Sequence, residues 1–207
     1  MKLARGTPSW VASATLLALA ALALSVLVAP IWWAAAIPLG AVAGLLLNFF
    51  RDPERAPAPG IVSPADGVVT TVTEHAGRRR VNIFMNPLDV HVNRAPLDGT
   101  VLSVERVRGG FVPAFKKESE RNERVVIEWE TALGPVTTVQ IAGTVARRIV
   151  PYVKTGDRLA KGERIGIIRL GSRVDVYLPA TARVVVREGE RVKAGATTLA
   201  LPPEATA

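Results

Sequence analysis

Cysteine is absent from the 207 residues. That excludes disulfides, thiolate catalysis and cysteine-ligated zinc or iron–sulfur sites. Histidine is nearly absent: His75 and His91 are the only two, so a multi-histidine site is not expected and no metal is predicted. Aromatic residues make up 5% of the chain. No run interleaves basic residues with stacking rings, which argues against nucleic acid despite a formal net charge of +8. Acidic residues are missing from residues 1–50, where Lys2 and Arg5 are the only charges, whereas the rest of the chain carries 24 basic and 18 acidic residues. A mildly basic domain beside an apolar anchor suits an anionic membrane surface.

Two long uncharged runs occupy the N-terminal part, Trp10 to Val28 and Ile31 to Phe50. Each is about 20 residues, the length of helix that crosses the hydrocarbon core of a bilayer. Pro30 separates them, so residues 1–50 read as a transmembrane or re-entrant helical hairpin, with Trp32 and Trp33 at an interface. Basic residues flank both outer ends (Lys2 and Arg5, Arg51 and Arg55) and the connecting turn has none. The positive-inside rule then puts both ends, and the domain that follows, on the cytoplasmic side of the cell membrane. A cleaved signal peptide is the competing reading, and the second apolar run argues against it.

Residues 51–60 contain Pro53, Pro57 and Pro59 and read as a linker. From residue 61 to 207 the pattern is short and β-branched. The runs 67–72, 80–84, 125–129 and 136–141 alternate and are broken by Gly, Pro and Asp, as strands joined by turns are. The expected fold is mainly β, a small barrel-sandwich-like domain behind the helical hairpin. Two internal repeats support it. Pro64-Ala65-Asp66-Gly67 is similar to Pro96-Leu97-Asp98-Gly99, and the run from Gly156 to Gly162 is similar to that from Gly189 to Gly195. Both look like the turn–strand units of biotinyl and lipoyl carriers.

Few residues are candidates for chemistry. His91 is the more promising imidazole for acid–base work near neutral pH, and alternation sets it on the face opposite Val90 and Val92. His75, beside Ala76-Gly77 and three arginines, reads as a solvated turn. Asp66 and Asp98 each precede glycine, first of all a turn signal; either could orient a histidine or accept a proton. Gly171-Ser172 also reads as a turn, yet it has what an intramolecular attack needs. The serine Oγ can approach the preceding carbonyl, and glycine has no Cβ to obstruct it.

Several runs, in order along the chain, resemble the short form of phosphatidylserine decarboxylase proenzymes. They are Asn48-Phe49-Phe50-Arg51-Asp52-Pro53, Ser63-Pro64-Ala65-Asp66-Gly67, residues 86–94, Glu120-Arg121-Asn122-Glu123-Arg124, residues 140–150 and Arg169-Leu170-Gly171-Ser172-Arg173-Val174-Asp175. The resemblance implies that Ser172 attacks the Gly171 carbonyl and that the ester formed eliminates. The chain would then be cut between 171 and 172, leaving a covalent pyruvoyl cofactor derived from Ser172. It implies a Schiff base between that carbonyl and the substrate amine, through which the carboxylate leaves as CO₂. His91 is the implied proton donor and Asp66 matches the family's aspartate. Larger members carry two histidines three positions apart; here that spacing gives His91 and Arg94. Either His91 serves both cleavage and protonation, or strain and Asp66 activate the serine. Arg94 is a poor base and is assigned to the substrate phosphate or carboxylate.

The expected function is therefore decarboxylation of phosphatidylserine to phosphatidylethanolamine by a zymogen that becomes a heterodimer of its own two pieces, with any higher oligomer left open. The partners are a phospholipid and the anionic membrane. The alternatives are the same chemistry on an archaetidylserine and a non-catalytic, membrane-anchored biotinyl/lipoyl-like adaptor.

Overall fold

The computed structural model describes residues 2–114, 117–144, 148–169 and 172–203, without the side chains of 117 and 118. The chain divides into two compact units, Met1–Pro53 and Glu54–Ala207.

In the first unit, α1 (Ser9–Leu27) and α2 (Trp33–Phe49) are joined through a 3-10 turn at Pro30–Trp32. Pro30 opens that turn, where its missing N–H has no helical partner to lose. Leu16, Leu17, Val26, Leu27, Ile37 and Leu45 stand exposed, while the covered positions are mostly small: Ala18, Ala21 and Ser25 in α1, Ala36 and Ala43 in α2. Helices that are apolar all round and meet along small residues suit lipid as their solvent. The apolar stretches Ser9–Leu27 and Pro30–Phe49 have mean hydropathies of 2.2 and 1.8, and both are long enough to span. The Ala4 N–H donates to the Phe50 carbonyl (2.8 Å) and the Asp52 N–H to the Lys2 carbonyl (2.9 Å). The two outer ends of the hairpin therefore lie side by side.

The second unit is built of strands. In chain order they are β1 (Ile61–Val62), β2 (Gly67–His75), β3 (Arg78–Met85), β4 (Val92–Arg94), β5 (Gly99–Val107), β6 (Arg124–Thr131) and β7 (Gly134–Ala142). Then come β8 (Ile149–Pro151), β9 (Arg158–Leu159), β10 (Arg164–Ile168), β11 (Ser172–Pro179), β12 (Arg183–Val184), β13 (Arg191–Val192) and β14 (Thr198–Leu201). Among the described residues they form an eight-stranded sheet, β13-β2-β3-β11-β7-β6-β5-β9, and two three-stranded sheets, β4-β10-β8 and β1-β14-β12. The four runs read as strands lie in β2, β3, β6 and β7. His75 differs slightly from its reading: it is the exposed last residue of β2, and the turn is Ala76-Gly77. Both turn residues have positive φ (49° and 70°), as a two-residue hairpin that matches strand twist requires.

The sequence repeats are spatial repeats. Around Asp66, the Gly195 N–H donates to the Ser63 carbonyl and the Ala194 N–H to Asp66 Oδ1, both at 2.8 Å. Around Asp98, the Gly162 N–H donates to the Ala95 carbonyl (2.9 Å) and the Lys161 N–H to Asp98 Oδ1 (2.8 Å). Further along, Val69 exchanges hydrogen bonds with Glu190 and Gly189, and Val101 does so with Asp157 and Gly156. Each Asp-Gly unit thus caps the turn of a glycine repeat far away in sequence. The stretch read as a linker is fastened here too: Glu54 pairs with Arg164 (2.9 Å) and the Ala58 N–H donates to the Gly195 carbonyl (2.9 Å).

One strand organises the core. β11 is paired on both sides, with β3 over its whole length (Ser172↔Met85 to Pro179↔Arg78) and with β7 (Ser172↔Ala142 to Tyr177↔Thr137). Its alternate residues Val174, Val176 and Leu178 are fully buried with Val81, Ile83 and Met85 of β3 and Val136 and Ala142 of β7. Each such side chain contributes roughly 1.5–3 kcal/mol of burial. By the two-residue period of a strand, Ser172 faces this core as well.

Candidate active site

Ser172 is the first residue of β11 and is completely buried. Its Oγ–H donates to the Met85 thioether at 3.3 Å. That sulfur also receives the Asn93 side-chain N–H, at 3.7 Å from Nδ2. The Asn93 Oδ1 in turn accepts from Gln140 Nε2 at 2.7 Å. Asn93 and Gln140 are also fully buried. A chain of uncharged polar groups thus runs from β11 through β3 and β4 to β7. Its last atom, Gln140 Oε1, is buried and meets no donor among the described residues. Gly166 of β10 makes room for it: a Cβ there would come within 2.8 Å of Gln140 Nε2.

His91 is fully buried just before β4. Its Nδ1 lies 2.9 Å from the Asp89 carbonyl, so Nδ1 carries a proton and Nε2 is the ring atom that can exchange one. The Asp89 turn is itself pinned, with Oδ2 accepting from the Asn86 N–H (2.9 Å) and Oδ1 from Arg191 (3.1 Å). The His91 carbonyl accepts from the Ile168 N–H at 3.3 Å. Ile168 is the last residue of β10, so the His91 segment is bonded to the end of that strand.

Arg94 is buried, and its Nη1 donates to the Gly162 carbonyl at 2.9 Å. Its side chain runs between the two glycine repeats; a Cβ on Gly195 would stand 3.1 Å from Arg94 Cδ. Asp66 is buried on the same side of the unit. Arg55 grips both of its oxygens, with Nη2 2.8 Å from Oδ2, while Oδ1 also caps Ala194. The described contacts of Asp66 are therefore with Arg55 and the 194 turn. Leu170 and Gly171 lie outside the described residues, as do residues 145–147 of the matching runs.

The opposite face of the large sheet is charged. Asp175 accepts from Arg173 Nε (2.8 Å) and Nη2 (3.0 Å) and from Arg80 Nη2 (2.8 Å). Arg173 Nη1 donates to Ser119 Oγ at 2.8 Å. Burial pulls the Arg80 pKa down, but its bonds to Asp175 and Glu120 outweigh that and leave it raised. The Tyr177 hydroxyl is pushed up by burial and by nearby Asp175. A cleft of about 200 Å³ lies here, lined among others by Arg80, Arg124, Arg173 and Tyr177. It is a feature of the outer face, whereas the Ser172 side chain belongs to the inner one.

Sequence reading did not assign a role to Met85, Asn93 or Gln140. For Gln140 a signal existed: the inward positions of β7 are Val136, Thr138, Gln140 and Ala142, and two polar residues on a core face call for an explanation. Thr138 has one, accepting from Trp129 Nε1 at 3.0 Å.

Comparison with known proteins fits this geometry. The profile of a family described as phosphatidylserine decarboxylase matches residues 42–200. A phosphatidylserine decarboxylase proenzyme of Streptomyces griseus is 59% identical over 168 residues, 80% of this chain and 78% of its own. One of Streptomyces avermitilis is 54% identical over 202 residues, 95% of this chain and 92% of its own. A relative from Methanosarcina barkeri, named as an archaetidylserine decarboxylase proenzyme, is 48% identical over 158 residues, 75% of this chain and 76% of its own. With a family match over most of the β unit and such identity over nearly the whole chain, the protein belongs to the phosphatidylserine decarboxylase family, a family of carboxy-lyases.

Proposed function

We propose that this chain is a proenzyme that cuts itself between Gly171 and Ser172 and then decarboxylates phosphatidylserine to phosphatidylethanolamine. The observation that carries the reading is the setting of Ser172. It heads a strand clamped on both sides, faces a water-excluded core, and has a hydroxyl whose partner is a thioether. Such a clamp keeps the cut end of β11 in place after cleavage, so the new terminus stays where the serine was.

A pyruvoyl group derived from Ser172 fits these surroundings. The lining of Met85, Asn93, Gln140 and Ala142 is buried and uncharged, which suits a neutral carbonyl in place of the serine hydroxyl. Such a group supplies an electrophilic carbonyl that takes up the substrate amine and draws electrons as CO₂ leaves. The chain's own residues do the rest. His91, its ring set by the Asp89 carbonyl, returns a proton to the carbon that lost CO₂. Arg94, cationic at any working pH, takes the substrate phosphate or carboxylate. Asp66 supports the serine during cleavage, and its grip on Arg55 and the 194 turn suits a positioning part.

The hairpin anchors the enzyme in the bilayer that holds its substrate, with the β unit on the cytoplasmic side. The side-by-side outer ends and their basic residues support that orientation. Phosphatidylserine is preferred over the archaeal ether lipid because the relatives of higher identity carry the former name. Denaturing electrophoresis with amino-terminal sequencing tests the reading. We expect a fragment beginning at position 172 with a blocked terminus, and a single uncut band for Ser172→Ala. A wild-type chain that stays uncut contradicts it.

A further inference from the structure

We infer that Gln140 receives the amino group of the substrate, its Oε1 accepting an N–H from the nitrogen that attacks at position 172. The inference rests on the pyruvoyl reading of Ser172. The orientation of the carboxamide follows from what a thioether can do. Met85 Sδ accepts hydrogen bonds and donates none, so Asn93 must turn Nδ2 toward it (3.7 Å) and Oδ1 away. Oδ1 then needs a donor, which fixes Gln140 with Nε2 at 2.7 Å and Oε1 pointing elsewhere.

That oxygen is the unsatisfied end of the chain. It is buried and meets no donor among the described residues. A buried acceptor without a partner is costly to keep, and such groups cluster where a ligand completes them. The carboxamide fills the space that a side chain at position 166 would take. Gly166 lies beneath it, where a Cβ would stand 2.8 Å from Nε2 and 3.1 Å from Oε1.

Position decides what the missing donor is. Gln140 pairs with Val174 and Ala142 with Ser172 in the β7–β11 ladder, so Gln140 is diagonal to Ser172 on the same face. A long side chain reaches across such a diagonal. The two are also linked through the Met85 sulfur, 3.3 Å from Ser172 Oγ. In the uncut chain the α-carbon of residue 172 bears the peptide nitrogen of the 171–172 bond. After cleavage the substrate nitrogen becomes attached to that same carbon, with one water lost. The donor presented there is an amine N–H, and a neutral carboxamide oxygen accepts it without adding charge to the core.

The test uses the full-length, self-cleaved protein in detergent micelles with phosphatidylethanolamine as the amine and cyanoborohydride as the hydride source. The mass of the fragment beginning at 172 reports trapping of the amine with loss of water. Titration with a hydrazine reports the carbonyl content. We expect Gln140→Met to cleave and to titrate like wild type but to trap the lipid amine about tenfold more slowly, the loss of one hydrogen bond to a charged or polar donor. Equal trapping rates overturn the inference. Should Gln140→Met stay uncut, Gln140→Asn decides, since it keeps a neutral carboxamide but draws it back by one methylene: cleavage with trapping about tenfold slower supports an acceptor here, and cleavage with trapping equal to wild type overturns it. A wild-type protein that cleaves but neither titrates nor traps contradicts the pyruvoyl reading itself and takes the inference with it.

Discussion

The hydroxyl of Ser172 donates to a thioether, a weak acceptor that cannot take its proton. Activation must therefore come from neighbours, and the two candidates differ in kind. His91 carries an imidazole whose Nδ1 is committed to the Asp89 carbonyl. Under the proposed division of labour, His91→Ala still cuts itself but decarboxylates at least about a hundredfold more slowly, the usual worth of a positioned acid. Quantifying both fragments and released CO₂ on one preparation checks this, and loss of cleavage would give His91 both steps. Asp66 and Asp98 cap equivalent turns, which supplies an internal control. Asp66→Asn should slow self-cleavage by about a hundredfold, as loss of an acid–base or supporting group does, while Asp98→Asn leaves it within about twofold. Equal effects would reduce Asp66 to a turn cap. Ser172 and His91 stood out in the sequence because their residue types are rare or their neighbours form a motif. Gln140 and Asn93 did not, because their significance arises only when β4 and β7 bring them to one sulfur atom.

β11 is the element on which both fold and proposed chemistry depend. Its inner residues fill the core, and its outer residues tie Arg173 and Asp175 to Arg80 of β3. Asp175→Ala strips the carboxylate from the buried guanidinium of Arg173, while the half-buried Arg80 keeps Glu120, and should destabilise the protein by about 3 kcal/mol in chemical denaturation. An unchanged midpoint would show that solvent already screens the cluster. Tyr177 on the same strand has a raised pKa from burial and from Asp175. A raised acid keeps its contribution below the ordinary tyrosine range and loses it as pH climbs through and above about 10. Stability should thus fall at alkaline pH, and less steeply in Tyr177→Phe. The strands themselves were legible from β-branched alternation. The pairing of β11 between β3 and β7 was not, since it joins residues about 90 and 35 positions apart by a register that no local pattern encodes.

At the scale of the whole molecule, the sequence already separated an apolar hairpin from a β unit, because charge and proline change sharply near residue 50. The reach of the β unit's contacts back to Glu54 and Arg55 was hidden, since a proline-rich stretch has the composition of a linker even where it is bonded down. The absence of cysteine makes the membrane orientation simple to measure. Single substitutions Lys2→Cys and Ile31→Cys in sealed vesicles should differ in reaction with an impermeant thiol reagent. Position 2 should react from the cytoplasmic side, and labelling of position 2 from outside would reverse the proposed orientation.

The central claim concerns one bond, and intact mass spectrometry of the purified full-length protein reads it directly. We predict two species from the wild type, one ending at 171 and one beginning at 172 whose terminus is blocked and reacts with a carbonyl reagent, and one full-length species from Ser172→Ala. A single unmodified full-length mass for the matured wild-type protein would contradict the account.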